Sequence, residues 1–168
     1  MRNTDRWWVV LALAISGATL PALAAQQTSP ETRAEMIRLI DTLEKHPNDP
    51  NAREMRGKVL SWLSDAPDVT VTMCDKFLGI EKFNPDEAGG ELVLQQPFAE
   101  AKFMLENPDK ASDEMAVHLA GVEGALRTYA VMKAEDPKLV IPAMESLVKL
   151  QAQQKLPEYI AQAIEKCS

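Results

Sequence analysis

From Ser29 onward, apolar and polar positions alternate mostly with a helical period. Ser29-Pro30-Glu31 predicts a helix start, because a serine hydroxyl accepts from the free first-turn amides and proline at the first position gives up no bond. Met36, Ile37, Ile40 and Leu43 then share a face. His46-Pro47-Asn48-Asp49-Pro50 ends that helix and opens a second, with Asp49 as its expected cap and Pro50 as its first residue. Met55, Val59, Leu60 and Leu63 make the second stripe, with Trp62 beside it. The short loop predicts an antiparallel hairpin.

Val69, Val71 and Met73 alternate with polar residues at the period of a strand, but one short strand has no evident mate. The segment therefore reads as an extended connector into a short helix around Cys74 to Phe83, followed by a turn at Asn84-Pro85-Asp86 and a loosening at Gly89-Gly90. The stretch ELVLQQPFAEAKFMLENP has two readings. The favoured one is a helix kinked or broken at Pro97, where a hydrogen bond is lost. The other makes Glu91 to Gln95 extended and pairs Leu92-Val93-Leu94 with Val69 to Met73 as a ribbon. Asn107-Pro108 is another cap-plus-proline start, and Ser112-Asp113-Glu114 opens a long helix that Asp136-Pro137 stops after Glu135. Two more helices follow, Leu139 to Gln153 and one from Pro157. Their expected inward residues are Met144, Leu147, Leu150, Ile160, Ala163 and Ile164, and QAQQK faces water.

The long helix carries two stripes. Met115, Leu119, Val122, Leu126 and Tyr129 form an apolar one. Val117, Gly121, Gly124 and Thr128, flanked by Ala116 and Ala120, form a second whose side chains are small. A glycine costs about 1 kcal/mol of helix propensity relative to alanine. Close approach of a neighbouring helix offsets that cost, so this face predicts a packing seam in a central helix rather than a ligand groove.

The first 24 residues read as an export signal: Arg2 and Arg6, the apolar run Trp7 to Leu20, Pro21, and the small-x-small site Ala22-Leu23-Ala24. The run is too short to span a membrane, which takes roughly 20 residues. Residues 25–168 are then a single helical domain of 144 residues with no Gly/Ser linker. They carry 16 basic and 24 acidic residues, a net charge of −8 that disfavours nucleic acid and anionic membranes. Cys74 and Cys167 predict one disulfide in an oxidising compartment, with a bridge between subunits as the competing arrangement.

The inventory of chemistry is short. Glu114 and His118 stand four residues apart and could hold a metal edge-on, but zinc takes three or four protein ligands. His46 falls in a loop and the cysteines are expected to be oxidised, so His118 reads as an ion pair or an edge position. Ser61, Ser64, Ser112 and Ser146 lack the context of an activated nucleophile. Carboxylate pairs such as Glu100 with Glu106, or Asp113 with Glu114, carry no mark of the burial that acid catalysis requires. The aromatic residues Trp62, Phe77, Phe83, Phe98 and Phe103 read as core. No catalytic, cofactor-binding or metal-binding residue is assigned.

The run FMLENPDKASDEMAVHLAGVEGALRTY, with DVTVTMC before it, resembles small uncharacterised bacterial secreted α-helical proteins of similar length. That resemblance implies an exported single-domain helical fold and brings no activity with it. FMLENPDKASDEMAVHLAGVEGAL is also similar to the helix, proline turn and alanine-rich helix of periplasmic immunity proteins that neutralise type VI secreted toxins. Those carry more cysteines around the pattern than Cys74 and Cys167, and no site is transferred from them. Asn48-Asp49-Pro50-Asn51-Ala52 resembles a tetratricopeptide-repeat loop, but no second copy recurs at the repeat length of about 34 residues. The expectation is an all-α, single-domain multi-helix bundle with one extended connector, stapled by a disulfide, that binds a protein or a small envelope component. A periplasmic immunity-type inhibitor and a small carboxylate-based hydrolase are the alternatives.

Overall fold

A computed structural model describes residues 27–80 and 88–167. The export signal at 1–24, Phe83, and the turn at Asn84-Pro85-Asp86 lie outside the described residues. Seven α-helices occur among those described: α1 (Pro30–Lys45), α2 (Ala52–Asp65), α3 (Asp75–Leu78), α4 (Ala88–Glu106), α5 (Glu114–Glu135), α6 (Pro142–Ala152) and α7 (Leu156–Cys167). No strand occurs among them, and none of these helices is long and apolar enough to cross a membrane.

Local sequence explains most of the boundaries. Ser29 Oγ accepts from the Thr32 amide at 3.2 Å, as expected for a cap on α1. The start of α2 falls later than the sequence suggested. The Asp49 carboxylate accepts from the Asn51 amide at 2.7 Å in a local turn, which leaves the helix to begin at Ala52. The connector before α3 is extended. Gly79 ends α3 after one turn, in the left-handed conformation at φ 65° that favours glycine.

Residues Ala88 to Glu106 form one helix through Pro97, so Glu91 to Gln95 is helical, and Gly89-Gly90 lies inside that helix. The proposed ribbon is therefore absent. Pro97 forgoes a single backbone bond, and burial of Leu92, Phe98, Met104 and Leu105 holds the helix together. Asn107-Pro108 starts only a 3₁₀ turn, Pro108–Lys110, before Asp113 caps α5 by accepting from the Ala116 amide at 3.1 Å. Leu139 to Ile141 stay outside α6, which begins at Pro142.

The apolar side chains gather into two clusters. α1, α2 and the connector pack Ile40, Leu43, Val59 and Val69 against Phe98, Ala101 and Met104 of α4 and Val117 of α5. On the other side, α3, α6 and α7 pack Phe77, Met144, Leu147, Leu156 and Ile160 against Leu92 of α4 and Val122, Leu126 and Tyr129 of α5. α4 and α5 thus contribute to both clusters and form the centre of the fold. Leu60, expected inside, is exposed, and Trp62 is half-buried, packed against the edge of the first cluster. Cys74, just ahead of α3, bonds to Cys167 at the end of α7 with a Cα–Cα distance of 6.1 Å, so the bridge is within one chain.

Candidate functional site

α4 and α5 run antiparallel across the Asn107–Asp113 connection, and their close approach depends on two missing side chains. A β-carbon at Gly121 would stand 2.6 Å from Glu100 Cγ and 3.0 Å from the Gln96 carbonyl oxygen. One at Gly124 would collide with Ala99 Cβ. The small stripe is therefore a packing seam. Val117, Gly121, Gly124 and Thr128 are all buried, and the Thr128 hydroxyl donates to the Gly124 carbonyl at 3.1 Å.

The seam also holds a polar site. Glu100 is wholly buried on α4, and His118 Nδ1 lies 2.6 Å from its Oε1. Gln96, one turn earlier on α4, donates its side-chain amide to the same oxygen. The Thr72 amide of the connector approaches Oε2 at 3.4 Å. Phe77 of α3 stacks on the imidazole with ring centroids 4.2 Å apart and planes inclined by 27°. Burial pushes the Glu100 carboxyl above its usual range, and the hydrogen bonds from His118, Thr72 and Gln96 oppose that rise.

Glu114, the partner that helical spacing assigned to His118, is a second and outer neighbour. Its Oε1 lies 3.8 Å from His118 Nε2, and it is largely exposed. The imidazole thus joins a buried carboxylate on one nitrogen to a solvated one on the other. The Nδ1–Oε1 contact is a hydrogen bond between the ring and a carboxyl whose charged form burial disfavours.

The remaining candidate residues do not converge on this pair. His46 is exposed, and both cysteines are in the disulfide. No group of three or more metal-ligating side chains occurs among the described residues. Ser64 and Ser146 donate to the carbonyls of Leu60 and Pro142, Ser112 is exposed, and Ser61 lines a surface groove. Glu106 and Asp113 line a different groove, of about 410 Å3, along the outer face of α4 and α5.

Two further polar contacts brace α5. Arg127 donates from Nε to Glu44 Oε1 at 2.6 Å and from Nη2 to Oε2 at 3.2 Å, and that carboxylate, buried on α1, holds the guanidinium more firmly charged. The Tyr129 hydroxyl donates to Glu145 Oε1 at 2.6 Å and accepts from the Ile141 amide at 3.3 Å. Burial, and then Glu145, raise the Tyr129 hydroxyl's pKa. Lys133, reaching the same carboxylate, holds Glu145 below its ordinary value.

Compared with protein-family models, curated proteins and solved structures, the chain finds no match. The resemblances drawn above rest on their sequence motifs alone. The principal partner of His118 was the residue that sequence reasoning missed. Its one available signal was a Gln96–Glu100 pair, one turn apart, inside the largely apolar run Leu92 to Leu105.

A groove of about 660 Å3 runs along α1 and α2. Met36, Trp62 and Ala66 line it, with Glu35, Lys58 and Asp65 among its charged residues.

Proposed function

We propose that residues 25–168 are an exported, non-catalytic helical protein that acts by binding a protein partner through the α1–α2 groove. One observation carries this reading: the best acid–base pair in the fold is sealed. Side-chain exposure is 0% for Glu100 and 6% for His118, and their facing atoms are taken up by each other and by Gln96. A general base must come within hydrogen-bond reach of the proton it removes, and Phe77 and the α4–α5 seam keep a substrate away from this one. The carboxyl with the raised pKa also meets an imidazole and two amides instead of a second carboxylate, which weighs against the carboxylate-hydrolase alternative.

The groove has the features of a contact surface. Trp62 is a half-buried aromatic anchor of the kind that carries a large share of binding energy where proteins meet. The overall acidity of the domain favours a partner with a basic face. The immunity resemblance would make that partner a secreted toxin.

A photo-crosslinking amino acid at position 62, set against the same group at the exposed Val148 on α6, tests the reading in living cells. The expected result is an adduct of one defined mass at position 62 that is absent at 148. Equal labelling at both positions, or no adduct at 62, would overturn it. If the adduct contains a secreted toxin, the inhibitor role follows.

A further inference from the structure

We propose that residues 66–80 form a strap over the Glu100–His118 pair, and that the Cys74–Cys167 disulfide latches it. Reduction by a dithiol would then uncover the pair while the helical bundle persists. This goes beyond the binding role and does not rest on it.

The strap is the least regular stretch among the described residues, with α3 as its only helix. At its start, Asp68 is held by Thr28 and by Arg33, whose Nη2 lies 3.6 Å from Asp68 Oδ2. Over the site it offers the long Thr72 contact to Glu100 and the ring of Phe77 on His118. Cys74 lies between those two residues, so the latch sits where the strap covers the pair. Its other half is in the last turn of α7, where Glu165 and Lys166 face water. That covalent tie means the strap cannot lift without carrying the end of α7 along. With the tie cut, opening exposes Phe77 and Leu78 but leaves the α4–α5 seam in place.

The chemistry is thiol–disulfide exchange. A thiolate of the dithiol attacks one sulfur, the S–S bond breaks, and the second thiol of the reagent closes its own disulfide. Two electrons pass to the cystine, and Cys74 and Cys167 each end as a thiol. Both half-cystines are partly exposed, so a small dithiol can reach the bond.

The two histidines provide the test, because His46 is exposed and His118 is buried. The natural chain is treated with diethyl pyrocarbonate before and after reduction with dithiothreitol and alkylation of both thiols, and each histidine's labelling rate is read by mass spectrometry. With the tie cut, the strap opens without carrying the end of α7, so His118 labelling should rise at least about tenfold. The His46 rate should stay the same, and helical ellipticity and slow amide exchange in α4 and α5 should be retained. An unchanged His118 rate with both thiols alkylated would overturn the proposal. Labelling that appears only with loss of ellipticity would overturn it equally, since the bundle would then be unfolding as a whole.

Discussion

The same substitution at two glycines should have opposite effects. Gly57 lies on the exposed side of α2, and a β-carbon there would meet nothing within 4 Å. Gly57→Ala therefore adds only helix propensity and should stabilise the chain by about 0.5–1 kcal/mol. At Gly124 the new methyl collides with Ala99 Cβ, and both atoms are fixed to helix backbones, so no rotamer change can separate them. Restoring ordinary carbon–carbon contact requires α4 and α5 to move apart by about 1 Å. Overpacking of that kind costs about 1–3 kcal/mol, and the propensity gain returns about 1, which leaves a net loss of up to about 2 kcal/mol. Ala99→Gly should recover part of the loss in the double variant, because the gap then passes from one helix to the other. The coupling between the two positions should be about 1 kcal/mol or more. Urea unfolding followed by far-ultraviolet ellipticity measures the natural chain and the four variants. A Gly124→Ala variant as stable as Gly57→Ala would refute the seam, and additive effects of Ala99→Gly and Gly124→Ala would refute the contact assigned to it.

Other substitutions probe the polar contacts. Burial lifts Glu100 above its ordinary 4.5, so the folded chain holds this proton more tightly than the unfolded one. The resulting stability is complete below the ordinary value and is lost as pH rises through the raised one. Glu100→Gln removes that dependence. The stability of the natural chain minus that of the variant should therefore fall as pH rises above the ordinary carboxylate value, and a flat difference in denaturant titrations would contradict the assignment. Arg127→Ala leaves the Glu44 carboxylate buried without its bidentate donor and should cost about 1–3 kcal/mol. Adding Glu44→Ala should restore part of this, and a double variant less stable than the single one would count against the pairing. Tyr129→Phe removes the donor to Glu145 and the acceptor for the Ile141 amide. It should lower stability by about 1–2 kcal/mol in thermal melts, and an unchanged midpoint would show those bonds to be without net effect.

The helices were legible because their signals are local. Caps at Ser29 and Asp113 and the stop at Asp136 act within one turn, and the small stripe on α5 announced a close neighbour, whereas the short helix expected to run to Phe83 ends at Gly79. What lay across that seam was not legible. Periodicity within α5 offers His118 only residues three or four positions away, and it named Glu114. The inner partner, Glu100, is 18 positions distant and is brought there by the register of two helices, which neither helix encodes alone. The Pro97 reading was divided for a similar reason. Local chemistry counts a lost hydrogen bond, while burial on both sides of α4 decides the outcome. Trp62 shows the converse limit, because its place beside an apolar stripe gave no hint that it lines an open groove.

The bridge between Cys74 and Cys167 joins positions 93 apart in sequence. A nascent polypeptide interrupted between residues 153 and 166 contains α1 to α6 in full and still lacks the partner of Cys74. The cystine therefore marks completed translation through α7. A thiol-reactive tag would sort products that stop between Cys74 and Cys167 from those that contain both, without any need to measure their size.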